Sequence, residues 1–295
     1  MLDFHSPKLG DIEWVRSALR HSKHKGCYYT FATMYSWALR YNTEIAGYKD
    51  MLFSRGGKDQ SYYIYPVGKY DVSEAISLIS EDAASRGIDK LTIIAEEWQK
   101  EELEAAFPER FECVLSRDDC DYVYNSSDLI DLAGRKYHGK RNHISKFKRN
   151  YENYTYEDIT ESSIPECMEV LRKWCDGMEI DYTNEIYPEY EAIRRCFADM
   201  ELLGIIGGLI RVSGSVVAFT LGERLNEDTF VVHFEKAIPD FGEAYTVINQ
   251  SFAERRLKEY KYINREEDLG MEGLRKAKLS YNPAFLVNKY YIKEL

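Results

Sequence analysis

No run in this sequence approaches 18 apolar residues, so no segment reads as a membrane-spanning helix. Its start, MLDFHSPKLGDIEWV, lacks the basic stretch and apolar stretch of a signal peptide. The expected compartment is therefore the cytoplasm. The six cysteines, Cys27, Cys113, Cys120, Cys167, Cys175 and Cys196, contain no C-x-x-C pair and no zinc spacing. A chain of this length needs no disulfide framework. Histidines number only six, and the one close pair, His21 and His24 in HSKH, is flanked by Lys23 and Lys25, so no metal is expected. There is no Ser or Cys elbow to form a covalent intermediate, no internal repeat and no low-complexity segment. Positive charge is also short: the net charge is −11, which argues against a broad nucleic-acid surface but allows local basic patches.

What is present is an ordinary globular composition, 44% hydrophobic and 30% charged, with 24 tyrosines, on a chain long enough for one large domain or two modest ones. Periodicity predicts a helix over 11–22 with Ile12, Val15 and Leu19 on one face. Tyr62–Val67 reads as a strand, Val72–Arg86 as a helix, Leu91–Ala95 as a buried strand and Trp98–Phe107 as a helix. Phe111–Leu115 and Cys120–Tyr124 read as further strands, while Phe31–Tyr48 is of mixed character. This alternation supports an α/β first module over 1–125, with no convergent set of chemical groups. A second module is expected over 126–295. It carries a strand at Tyr154–Ile159, helices at Ile164–Cys175 and Tyr190–Leu203, and a hairpin of 207–212 and 216–222 turned by Ser213-Gly214-Ser215.

Between the modules, Leu132 to Tyr151 contains no acidic residue but carries Arg135, Lys136, Lys140, Arg141, Lys146, Lys148 and Arg149. Ile144, Phe147 and Tyr151 fall at helical spacing, which predicts a helix with one buried stripe. Such a cationic face suits a phosphate-bearing partner, or is simply solvated and paired with acidic neighbours.

The strongest concentration of ionisable residues runs from Thr229 to Tyr291. TFVVHFEKA alternates like a strand, which would put His233 and Glu235 on one face, as a general base and its partner or as a polar pair at a sheet rim. The loop AIPDFG leads into a helix through Tyr245, Ile248 and Phe252. YKYINRE reads as a strand with Tyr262, Asn264 and Glu266 on one face, followed by acidic residues and a short helix bearing Lys276, Lys278 and Tyr281. Tyr281 reads either as a proton donor to a leaving group or as a cap on the core.

Two stretches, GRKYHGKRNHISKFKRNY and NREEDLGMEGLRKAKLSYNPAFLVNKY, make the chain resemble the family of the phosphatidylglycerol lysyltransferase C-terminal domain. That family is similar to the Fem-type peptidyltransferases. The resemblance implies an α/β (α+β) fold of two tandem GNAT-like modules, each a mixed sheet flanked by helices, the first degenerate and the second catalytic. It implies direct acyl transfer without a tightly bound cofactor, from aminoacyl-tRNA or acyl-CoA to a small-molecule or lipid acceptor. In that frame Glu235, with His233, would deprotonate the incoming amine. Asn264 and Arg265 would position carbonyl or phosphate oxygens. Glu266 and Asp268 would hold an acceptor ammonium or orient Lys276. Arg135, Lys136, Lys140, Arg141 and Lys236 would bind phosphate. The loop after Lys236 has one glycine and two nearby acids, poor ground for a coenzyme A pyrophosphate, which favours aminoacyl-tRNA. Two other readings stay open: an acetyl-CoA-dependent N-acetyltransferase, and a non-catalytic module for a lipid head group or anionic metabolite.

Overall fold

The computed structural model describes residues 2–20, 22–58, 60–180 and 188–295. His21 lies outside them. Following the chain, Glu44–Tyr48 (β1), Met51–Gly56 (β2), Tyr62–Gly68 (β3), Thr92–Glu96 (β4) and Phe111–Leu115 (β5) come first. Then follow Asp121–Asn125 (β6), Thr155–Asp158 (β7), Ile206–Val212 (β8), Ser215–Arg224 (β9), Thr229–Ala237 (β10), Tyr262–Asn264 (β11) and Phe285–Val287 (β12). Lys289–Glu294 (β13) closes the chain. These form two mixed sheets, ordered β1-β2-β3-β4-β13-β5 and β12-β6-β11-β10-β9-β8-β7. Each is flanked by helices, so the expected α/β class holds.

The chain divides into two compact units. One comprises 1–121, 267–272 and 286–295, the other 122–266 and 273–285. The units are not consecutive halves of the chain. The last strand returns to the first unit, where β13 is inserted antiparallel between β4 and β5, with Ile292 opposite both Ile93 and Cys113. Ile292 is fully buried there with Phe53, Tyr63, Ile76, Ile79, Ile93 and Leu103. Without β13, two strands would lose their partners on one side and the core would lose an isoleucine.

In the second unit the basic stretch forms the helix His138–Asn150. Phe147 is its fully buried residue, clustered with Val247 and Ile248 of the helix Ala244–Arg256 and in tilted and edge-on ring contact with Tyr151 and Tyr154. One aromatic anchor thus holds a helix whose remaining faces are polar. The hairpin β8–β9 turns through Ser213 and Gly214, both at positive φ, as the Ser-Gly-Ser signal requires. Its strands lead into β10, antiparallel to β9, and β10 pairs in parallel with β11, Val231 opposite Asn264. Among the described residues no helix is long and apolar enough to cross a membrane.

Truncating Ile292 to alanine should lower stability by about 2–5 kcal/mol, whereas the same change at Leu295, 73% exposed, should stay within about 0.5 kcal/mol. Urea denaturation of the two variants checks this; equal midpoints would mean that β13 is not integral to the first unit.

Candidate active site

The charged residues of β10 and β11 do not share one pocket. The β9–β10 register slips by one residue between Val232 and Phe234. A bulge of this kind breaks strict alternation, and His233 and Glu235 engage separate partners. His233 donates through Nδ1 to Glu266 Oε1 at 2.7 Å and through Nε2 to Glu223 Oε1 at 3.1 Å. Glu235 accepts instead from Arg265 Nη2 at 3.0 Å and from Asn249 Nδ2 at 3.2 Å.

This corrects the expected roles of both residues. Burial works against the His233 imidazolium, but hydrogen bonds to Glu223 and Glu266, with their charges, more than offset it and raise the group to about 10. At neutral pH it is protonated on both nitrogens and cannot accept a proton. Glu235 has both carboxylate oxygens occupied by donors, which suits a group that fixes an arginine.

Arg265 is the centre of the second arrangement. Its guanidinium lies 4.8 Å from the centre of the Tyr281 ring and 5.7 Å from that of Tyr124. Nη2 is taken by Glu235, but Nη1 is buried without a hydrogen-bond partner, and so is Asn249 Oδ1. Burying a donor unpaired costs about 1–3 kcal/mol, so the two groups that bond Glu235 each keep one polar atom suited to a substrate. Tyr281 is buried, and burial pushes its hydroxyl upward against the opposing pull of Arg265, so it stays protonated and able to donate.

The backbone that carries Arg265 is pinned on both sides. Its N–H donates to Tyr122 O at 2.9 Å, and Tyr122 N donates to Glu266 O at 3.1 Å. Lys278 Nζ reaches the carbonyls of Arg265 and Glu266, the latter at 3.1 Å. Glu266 itself is at φ 58°, a left-handed conformation. Asn264 Oδ1 accepts from Glu266 N at 2.7 Å and stabilises that turn. Asn264 is thus a turn-former, fully buried, and not a group that faces a substrate carbonyl. The turn sends Arg265 to Glu235 and Glu266 to His233.

Beside Tyr281 a cleft of about 480 Å³ is lined by Lys136, Gly139, Lys140, His143, Gly273, Lys276, Ala277 and Ser280. It holds three lysines and no carboxylate. Lys140, one of the lining residues, places Nζ 3.7 Å from the centre of the Tyr281 ring.

The other predicted residues fall elsewhere. Arg141 hydrogen-bonds the carbonyls of Leu132 and Gly134 and so closes the loop before its helix. Arg135 is exposed and does not line the cleft. Lys236 is buried against Glu189 at 2.8 Å, with its ammonium 3.6 Å from the centre of a Trp174 ring, and is no part of the cationic wall. Asp268 belongs to the first unit, fully buried, where its carboxylate meets Arg117 at 3.4 Å and Gly270 N at 2.9 Å. It does not orient Lys276. Asn249, Tyr124 and Glu223 are the members that the sequence reading missed. Glu223 ends a hairpin strand and Asn249 sits inside a helix, positions with no local signature.

The first unit does hold a charged cluster. Lys289 Nζ lies 2.5 Å from Asp121 Oδ1, 3.4 Å from Cys27 Sγ and 3.6 Å from Glu267 Oε2, above the Tyr28 ring. Cys27, Asp121 and Glu267 could serve as metal ligands by proximity, but the lysine ammonium already stands among them. Burial opposes that charge, and Asp121 foremost outweighs it, so Lys289 is held well above the ordinary lysine range. The cluster joins three chain segments and gives no opening for chemistry.

Comparison with known proteins places the chain in a family. The profile for phosphatidylglycerol lysyltransferase, C-terminal, matches residues 19–293. An uncharacterised protein of Mycoplasmoides gallisepticum is 23% identical over 210 residues, 70% of this chain and 64% of that protein, so the match spans under two thirds of the relative. A conserved protein of unknown function from Bacteroides thetaiotaomicron VPI-5482, of known crystal structure, is 37% identical, with TM-score 0.94 and full coverage of both chains. The L-PGS structure from Bacillus licheniformis superposes with TM-score 0.67 at 14% identity, over 98% of this chain and 92% of that one. Solved tandem GNAT and Fem-type proteins share the two-module architecture at identities that speak for fold alone.

Since the folded-state His233 value lies above its ordinary 6.5, its stabilisation is complete below about pH 6.5 and is lost as pH rises through about 10. His233→Gln should cost about 3–5 kcal/mol near neutrality, with the gap to wild type narrowing toward high pH. Denaturation curves across that range measure it; a gap independent of pH would mean that His233 is not charged in the fold.

Proposed function

Because the chain belongs to the phosphatidylglycerol lysyltransferase C-terminal family, we propose that it is a transferase moving an aminoacyl group from aminoacyl-tRNA to an amine or hydroxyl acceptor in the cytoplasm. The observation that carries this reading is the carboxylate-free cleft of Lys136, Lys140 and Lys276, in which Lys140 lies over the same Tyr281 ring that the Arg265 guanidinium faces. A phosphorylated donor would lie along the exposed lysines Lys136 and Lys276, its ester carbonyl turned toward Arg265. The acceptor attacks that carbonyl, the oxygen gains negative charge, and Arg265 Nη1 donates to it. Glu235 and Asn249 hold the guanidinium in place, so little reorganisation is needed as the charge develops. Tyr281 stands beside Arg265, and its protonated hydroxyl can donate a second hydrogen bond to that oxygen.

Acyl-CoA fits less well. The helix Ala244–Arg256 would present its N-terminus to a pyrophosphate, but Glu243 occupies the N-cap and pairs with Lys146. A carboxylate there already uses the positive end of the helix and repels phosphate. Gly242, at φ −54°, makes no special turn.

The direct test offers tRNAs charged with labelled amino acids, together with phosphatidylglycerol vesicles and a panel of small amines, and acetyl-CoA in a parallel arm. Acceptor-dependent loss of label from tRNA is expected, and Arg265→Lys should slow it by about 10²–10³-fold. Transfer from acetyl-CoA alone, or no acceptor-dependent deacylation, would overturn the reading. Lys136→Ala and Lys276→Ala should each weaken tRNA binding and lower the salt slope of log K by about 1. Filter binding at several salt concentrations measures this.

A further inference from the structure

We propose that Lys140 is the proton-accepting group of this site, its amine taking the proton of the attacking nucleophile. This rests on the transferase reading above and assigns the base that His233 and Glu235 cannot supply. Lys140 differs from the other cleft lysines. Lys136 is exposed and pairs with Asp128 at 3.5 Å, and Lys276 is also exposed. Lys140 is half-buried, with its amine on the Tyr281 face.

The groups around it disfavour an ammonium. Lys140 sits in the first turn of the helix His138–Asn150, where the helix dipole is positive. Lys136 and His143 line the same cleft from that segment, and Lys276 lines it from the helix Glu272–Leu279. Arg265 contributes a further positive charge from the turn after β11. Glu235, from β10, pulls the other way but is already paired with Arg265. The rings of Tyr281 and Tyr124 complete the wall around Arg265. The ring contact at Lys140 favours the cation modestly. Burial and the repulsion of Arg265 nonetheless prevail over Glu235 and bring the amine down to about 8. A lysine lowered toward the working pH by burial and neighbouring cations is suited to general base chemistry.

In the step assigned to it, the acceptor's oxygen or nitrogen forms a bond to the acyl carbon while its proton passes to Lys140 Nζ. The ester bond to the ribose oxygen then breaks, and the new Lys140 ammonium returns the proton to that oxygen. No oxidant or further reactant is needed, and the amine is regenerated.

Two measurements test this. Competitive acetylation of the wild-type protein by acetic anhydride, read by peptide mass spectrometry across pH, should show half-maximal Lys140 reactivity at about 8. Exposed lysines should follow near their ordinary value of about 10.4. In the transfer assay, Lys140→Ala and Lys140→Arg should both lose about 10²–10⁴-fold. Added alkylamines should restore Lys140→Ala in proportion to their basicity. A Lys140 that titrates with the bulk, or a Lys140→Arg protein that keeps wild-type rate, overturns the proposal and leaves the transferase reading standing. No transfer by wild-type protein overturns the transferase reading itself, and this step with it, whatever the labelling midpoint.

Discussion

The parallel register of β10 and β11, with Val231 opposite Asn264, decides where the charged side chains of the second unit go. Chain emerging from β11 runs beside the end of β10, and the Asn264-stabilised left-handed turn at Glu266 directs neighbouring residues to different partners. Arg265 meets Glu235, and Glu266 meets His233. A one-residue shift of β11 would exchange the faces of all these residues. The bulge in β10 and the turn after β11 are thus matched irregularities. Each breaks alternation in its own strand, and together they restore charge pairing across the two.

The two ion-paired groups serve different ends. In the His233 group the imidazolium sits between two carboxylates and both ring nitrogens are used. Such a group is costly to break and ties β9, β10 and the post-β11 turn together. In the Arg265 group the accounting does not close, since one guanidinium nitrogen and one amide oxygen are left over. Buried pairing is weak evidence for stability in itself. A pair that holds an unpaired donor beside a cleft is better understood as positioning. Lys278, bonded to two successive carbonyls, keeps that donor from drifting.

Much of the fold was legible because period-two and period-3.6 runs are long in β3, β4, β8, β9 and β10 and in the helices around them. The legibility stops where side chains contradict their surroundings. β1 and β2 escaped notice because aromatic, glycine and charged residues interrupt them. β13 escaped because Lys289 reads as a surface residue, and only the convergence of Asp121, Glu267 and Cys27 makes a buried lysine tolerable. At the candidate site, Glu235, Arg265, Tyr281 and the cleft lysines were found because ionisable residues cluster there in sequence. The bulge was not readable, since FVVHFEK keeps its alternation on paper, and so His233 was given the wrong partner. Asp268 shows the same limit: four residues after Asn264 in the chain, it belongs to the other unit.

The return of β13 also bears on how the protein is made. The second unit has all its residues once Phe285 has been synthesised, whereas the first lacks β13 until residues 286–295 leave the ribosome. A nascent chain therefore holds an N-terminal sheet with an open slot between β4 and β5 until β13 emerges, although N-terminal regions ordinarily fold first. Unpaired strand edges of this kind invite wrong partners. Emergence of residues 286–295, rather than of the first 121 residues, is the event that completes the first unit.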